Sequence, residues 1–224
     1  MSADIRILDD LSAVPEASQC AILIRHGNRD GSLDKLQSDS VDLNQTGVER
    51  ARRLGEEIVP RPLAKLYSSP AKRCLRTCEC ITEGHGMDAT VVPSRFLGME
   101  GPFIYRPKEA AELMTAHGFV SFVEDYVAER TDGRVLMPCP EVAAMIIGWT
   151  ACRMRSGPRG LSVIVTHDLV LTPFMVRTFG YDVRGKGLVT FLDGFVVYER
   201  GSSLIARHDG KEVDVTSLAS KAYD

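Results

Sequence analysis

The chain lacks any apolar run near the about 20 residues needed to cross a bilayer as a helix, so a helical membrane span is excluded. It has little excess of either charge. With 27 Lys and Arg against 30 Asp and Glu, its formal net charge is -3. A nucleic-acid binder would need a basic face and a high isoelectric point, whereas this sequence has a pI near 6.0. Neither nucleic acid nor membrane is therefore an expected partner. The first twenty residues, MSADIRILDDLSAVPEASQC, carry more acid than base and have no apolar centre, so they do not read as a secretory signal. The expected location is cytoplasmic.

Other absences narrow the chemistry. No internal repeat and no low-complexity linker is present. There is no P-loop, no kinase glycine set and no acidic cluster suited to magnesium. The cysteines are few, at 20, 74, 78, 80, 139 and 152, and CLRTCEC is not a pair of C-x-x-C knuckles. No arginine follows Cys74, Cys78 or Cys80 at the spacing of a cysteine phosphatase. In a reducing compartment the thiols are expected to be buried and structural. No metal and no cofactor is implied.

The 224 residues, 44% hydrophobic and 25% charged, suit a globular chain with a sizeable core. AILIR, LAKLYSS, ATVVP and LSVIVTHD read as strands. LNQTGVERARRLGEEIV is amphipathic at helical period, with Asn44 or Thr46 as cap and Pro60 as its end. PAKRCLRTCECIT, PKEAAELMTAHG, PEVAAMIIGWTACRM and LVLTPFMVRTFG are further helices, Pro173 lying near the start of the last. FVVYERGSSLIARHD predicts a hairpin turned at Gly201. Strands alternating with helices predict an α/β fold, a three-layer sandwich with a mostly parallel central sheet. The three most apolar strands should form its middle. We expect a single domain over residues 1–224, with its core in about 20–92 and 160–208 and a helical insertion over the active site in about 94–157.

In such sheets, sites lie beyond the carboxyl ends of strands. Three ends carry unusual chemistry: RHGNR, SSPAKR and THD. They supply Arg25, His26, Arg29, Arg73, His167 and Asp168. Guanidinium forks suit oxyanions, and several on one spot repel each other unless an anion joins them. A phosphoryl group is the natural occupant, and Gly27 lets the backbone turn sharply beside it. Of the attacking groups, histidine remains. His26 as nucleophile would split one hard displacement into two through a phosphohistidine, with the arginines and the second imidazole supplying position and charge.

LIRHGNR, SSPAKR and VTHD together resemble the histidine phosphatase superfamily, which includes the cofactor-dependent phosphoglycerate mutases and the histidine acid phosphatases. The resemblance covers roughly residues 20–92 and 160–200 and implies a phosphoglycerate mutase-like fold. It implies that His26 is the nucleophile and that Arg25, Arg73 and His167 bind phosphate. The acid-phosphatase branch reads R-H-G-x-R-x-P; Arg29 matches, and Gly31 replaces the proline. That branch takes its proton from a His-Asp pair, which Asp168 matches. The mutase branch places a glutamate after a middle strand, where Glu100 stands. Asp168 is the preferred acid and Glu100 the alternative.

The expected activity is metal-independent hydrolysis of a small-molecule phosphate ester. The alternatives are a mutase and a non-catalytic phosphate-binding module. Tyr105 and Arg106 are candidates to contact the leaving group. The remaining histidines read as ordinary: His85 in a loop between glycines, His117 at a helix end, and His208 at a solvated strand end. Trp149 and Met145, four apart on a helix, read as core. The sequence fixes no oligomeric state, a homodimer being one that it allows.

Overall fold

A computed structural model describes residues 5–31, 39–99 and 101–223. Two segments set the layout. β1 (Cys20–Arg25) and β4 (Leu161–Thr166) are buried at every position, as central strands of a sheet covered on both faces must be. They pair in parallel from Cys20 with Leu161 to Arg25 with Thr166. Beyond β4 lie β2 (Leu63–Ser68) and β3 (Val91–Pro93), also parallel. Beyond β1 run β5 (Gly194–Arg200), β6 (Ser203–His208) and β7 (Lys211–Asp214), each antiparallel to its neighbour. The strand order among the described residues is β3-β2-β4-β1-β5-β6-β7. β1 to β4 and β6 point one way, so the sheet is mixed, with one antiparallel flank. The apolar strands β4, β1 and β5 occupy its middle, and Gly201 turns the β5–β6 hairpin at φ 61°.

Alternation along the strands builds three layers. Cys20, Ile22 and Ile24 face one core with α1 (Ile7–Ser12), α2 (Gln45–Glu57) and α3 (Lys72–His85). Ala21 and Leu23 face the other, with α6 (Cys139–Ser156) and α7 (Asp168–Phe179). α2 starts at Asn44, whose side chain accepts the Gly47 N–H at 2.9 Å; of the two expected caps, this is the one used. α2 and α3 pack backbone to backbone. A Cβ on Gly55 would strike the Ile81 carbonyl, and one on Gly84 would strike that of Arg52.

Between β3 and β4 come a 3-10 turn at Arg95–Leu97, α4 (Pro107–His117), α5 (Phe119–Val127) and α6. α6 packs on α7 and β1, so the last part of the expected insertion is the helix that covers the sheet. Trp149 on α6 stacks on Phe96 with ring centroids 5.1 Å apart, in line with its reading as core. Pro173 sits inside α7 rather than near its start. α1, β7, α8 (Val183–Lys186) and α9 (Thr216–Ser220) were not anticipated. Most are too short to repeat an apolar pattern, and β7 is charged at an edge.

Five cysteines are buried and Cys152 is exposed. Two histidines depart from expectation. His85 ends α3, buried, with Nε2 2.9 Å from the Arg61 carbonyl. His208 is 9% exposed, because the rings of Phe179 and Tyr181 cover the end of β6. No described helix is long and apolar enough to cross a membrane.

Candidate active site

The register of the central strands brings the two predicted histidines together. The ladder runs one residue past β1: the His26 N–H donates to the Thr166 carbonyl at 3.0 Å. His167 follows directly on β4. The imidazole centroids stand 5.5 Å apart, edge to face. β2 ends alongside, where the Ser69 N–H donates to Val165 O at 3.0 Å. Arg73, in the first turn of α3, reaches both rings. Its Nε donates to His26 Nε2 at 3.2 Å, and its Nη2 lies 3.2 Å from His167 Nδ1.

These partners fix the tautomers. His26 Nδ1 is 2.8 Å from the Gly27 carbonyl. A carbonyl can only accept, so Nδ1 holds the proton and Nε2 keeps its lone pair. His167 Nδ1 faces a guanidinium, which can only donate, so its proton sits on Nε2 and is given to Ser69 Oγ at 2.8 Å. Burial, then His167 and Arg25, hold His26 well below the usual imidazole range. Burial, then Arg73, Arg25 and Arg29, do the same to His167. Both rings are thus neutral near pH 7, each with a lone pair directed toward Arg73.

Arg25 closes another wall. Its Nη2 pairs with Asp168 Oδ2 at 2.8 Å, and its Nη1 donates to the Val189 carbonyl at 2.7 Å. Its guanidinium carbon lies 4.2 Å from the Phe191 ring centroid. Burial pushes Arg25 down, with Asp168 opposing; a guanidinium nevertheless stays charged. Asp168 opens α7, and its Oδ1 accepts the Leu169 N–H at 2.8 Å. Arg29 is half-buried and lowered by burial, then by Arg73 and Arg25, which places it within their field. Among the described residues these three guanidiniums outnumber the Asp168 carboxylate beside the paired imidazoles. That excess suits a phosphate anion.

Six of the seven predicted site residues therefore lie in one cluster. The seventh, Glu100, lies outside the described residues. Arg106 turns instead to Glu109 at 2.9 Å, and Tyr105 is exposed. Gly27 earns its place through close approach: a Cβ there would come 3.1 Å from the Gly47 carbonyl.

Three participants were missed. Ser69 holds the His167 tautomer. Thr77 accepts the Gly27 N–H at 3.0 Å and donates to the Arg73 carbonyl at 2.7 Å, tying the strand end to α3. Phe191 packs against Arg25 and, with centroids 5.6 Å apart, against His26. The serine stood in SSPAKR as a legible signal; nothing in the turn around Phe191 marked it. Among the described residues no three His, Cys, Asp or Glu side chains are grouped to hold a metal ion.

The family model of the histidine phosphatase superfamily (branch 1) matches residues 21–94, a span holding Arg25, His26, Arg29 and Arg73. A 2,3-bisphosphoglycerate-dependent phosphoglycerate mutase of Thermoplasma acidophilum is 34% identical over 71 residues. That match spans 30% of this chain and 36% of the mutase's length. The structure of Bacillus stearothermophilus YhfR aligns with a TM-score of 0.60 at 17% identity, covering 86% of this chain and 96% of that one. Phosphoglycerate mutase from Bacillus anthracis aligns with a TM-score of 0.53 at 16% identity, covering 93% and 99%. At these identities the structural likeness speaks for the fold, which is α/β and phosphoglycerate mutase-like.

Proposed function

We propose that this chain, whose first motifs match the histidine phosphatase superfamily and whose fold is phosphoglycerate mutase-like throughout, hydrolyses a small-molecule phosphomonoester through a phosphohistidine on His26. The observation that carries the reading is the placement of His26 Nε2, 3.2 Å from Arg73 Nε, with Nδ1 against the Gly27 carbonyl. The ring is set in a cationic cradle and fixed by the Nδ1–H bond to Gly27.

Phosphate oxygens entering the cradle take the donors of Arg25, Arg29 and Arg73, and Arg73 releases the Nε2 lone pair. Nε2 then attacks phosphorus. The N–P bond forms, the ester P–O bond breaks, and the departing oxygen takes a proton from the Asp168 carboxyl. In the second half, water attacks phosphorus and gives its proton to Asp168. The N–P bond breaks, and inorganic phosphate leaves with His26 restored. His167 Nδ1 faces Arg73 Nη2 and so orients that guanidinium toward the phosphoryl oxygens. Proton donation of this kind is worth roughly 10²–10⁴-fold.

The test is phosphate release from a nitrophenyl ester and an alkyl ester, with chelator present. Hydrolysis should persist in chelator, and His26→Ala should remove nearly all of it. Asp168→Asn should slow the alkyl ester far more than the nitrophenyl ester, whose leaving group needs little help. Strong chelator inhibition, or full activity in His26→Ala, would refute the reading. Since the matched relative is a mutase, the same reactions are assayed for isomerised ester. Isomer without free phosphate would replace hydrolysis with phosphoryl return.

A further inference from the structure

A second cleft, of about 600 Å3, opens at the same rim of the sheet, where β5 begins and β6 ends. None of the six cradle residues lines it. It borders the turn that serves the cradle: Thr190 and Asp193 line the cleft, while the Val189 and Asp193 carbonyls hold Arg25.

Its floor is polar and rich in acceptors. His208 donates its Nδ1–H to the Gly194 carbonyl at 2.7 Å, so Nε2 is an acceptor; among the described residues it has no partner. The imidazole is 9% exposed. Asp193, 6% exposed, accepts the Gly194 N–H on Oδ1 at 2.8 Å, but Oδ2 has only a long 3.4 Å bond from Thr190. Tyr181 stands beside them: burial, then the Asp193 carboxylate, push its phenol up. Arg50 acts electrostatically on Asp193, and the carboxylate and the imidazole lone pair keep acceptor capacity that a donor in the cleft would fill. A cation is the donor that an aromatic face also favours.

The mouth carries both signs, with Asp9 and Asp209 beside Arg6 and Lys186. Arg6 is exposed and has no ion-pair partner among the described residues. Lys186 Nζ lies 5.9 Å from the Tyr181 centroid and 3.5 Å from Asp209. The other deep carboxylate, Asp10, is already taken by the Asp209 and Gly210 N–H groups and by Arg207.

We propose that this cleft binds a small zwitterion, its ammonium held by Asp193, His208 Nε2 and the Tyr181 ring, its carboxylate by Arg6 and Lys186. A cleft of this volume accepts a metabolite-sized ligand. The assignment is independent of the chemistry at His26.

The test titrates the full chain with glycine, γ-aminobutyrate and ε-aminocaproate, with butylamine and butyrate as single-charge controls, by calorimetry or saturation-transfer NMR. At least one amino acid should bind saturably, and about tenfold more tightly than either control, the worth of one charge-assisted hydrogen bond. His208→Gln should weaken it by a similar factor. So should Arg6→Ala, a surface change that spares the fold if the floor variant does not. Excess inorganic phosphate should leave the binding intact. No saturable binding, equal binding of a control, or no change in Arg6→Ala would overturn the proposal. Displacement by phosphate would place the ligand in the cradle and overturn it too.

Discussion

At the scale of the residue, the account turns on two imidazoles kept neutral by their surroundings. His26 and His167 are both pushed well below their ordinary value of 6.5. The unfolded chain therefore takes up protons below about pH 6.5 that the folded chain refuses. The corresponding stability is fully present above 6.5 and is lost as the pH falls toward the lowered folded values. The slope is at most about 1.4 kcal/mol per pH unit for each histidine. Urea unfolding at about pH 7.5 and 5.5 should show this loss. It should shrink in His26→Ala, which removes one of the two titrations, and in saturating inorganic phosphate, which favours imidazolium. An equal loss in wild type and variant would mean that His26 titrates normally when folded. The residues of the cradle were legible because each stands at a strand end or in the first turn after one. Their tautomers were not, since these depend on Gly27, Ser69 and Arg73 meeting across three strands. His85 and His208 were misread for the same reason: what covers them comes from distant parts of the chain.

At the scale of the element, the cradle depends on how closely α3 is held. Arg73 stands in its first turn, and Thr77, one turn on, is bonded to Gly27. Along its length α3 lies against α2, with Gly55 and Gly84 permitting contact between backbones. Gly55→Ala normally gains helix propensity, about 1 kcal/mol. Here the added Cβ meets backbone rather than a flexible side chain, so overpacking of about 1–3 kcal/mol should win. Thermal unfolding should show a lower midpoint for Gly55→Ala; an unchanged or higher one would mean that the helices part at little cost. The helices themselves were visible in the periodicity of VERARRLGEEI and in Pro70 ahead of KRCLRTC. Their closeness was not, because a glycine inside a helix pattern does not announce its neighbour. The antiparallel flank was half legible: the Gly201 hairpin was read, whereas KEVD in β7 is too polar to signal a strand.

At the scale of the whole molecule, one rim of one sheet gathers everything. Parallel β2, β4 and β1 deliver Ser69, His167 and His26 side by side. Antiparallel β5 and β6 carry the same rim to the second cleft, and the turn from Val189 to Asp193 joins the two. This order was expected only in outline, because sequence gives the direction of a strand more readily than its neighbours. The central claim remains covalent: Nε2 of His26 bonds to phosphorus during turnover. The most direct measurement is rapid quenching of the working protein with a labelled phosphate ester, followed by mapping of the label. The account predicts an acid-labile, base-stable adduct on the peptide containing His26, absent in His26→Ala and formed and consumed at rates compatible with turnover. Turnover with no label on the protein, or with label on any other side chain, would contradict it.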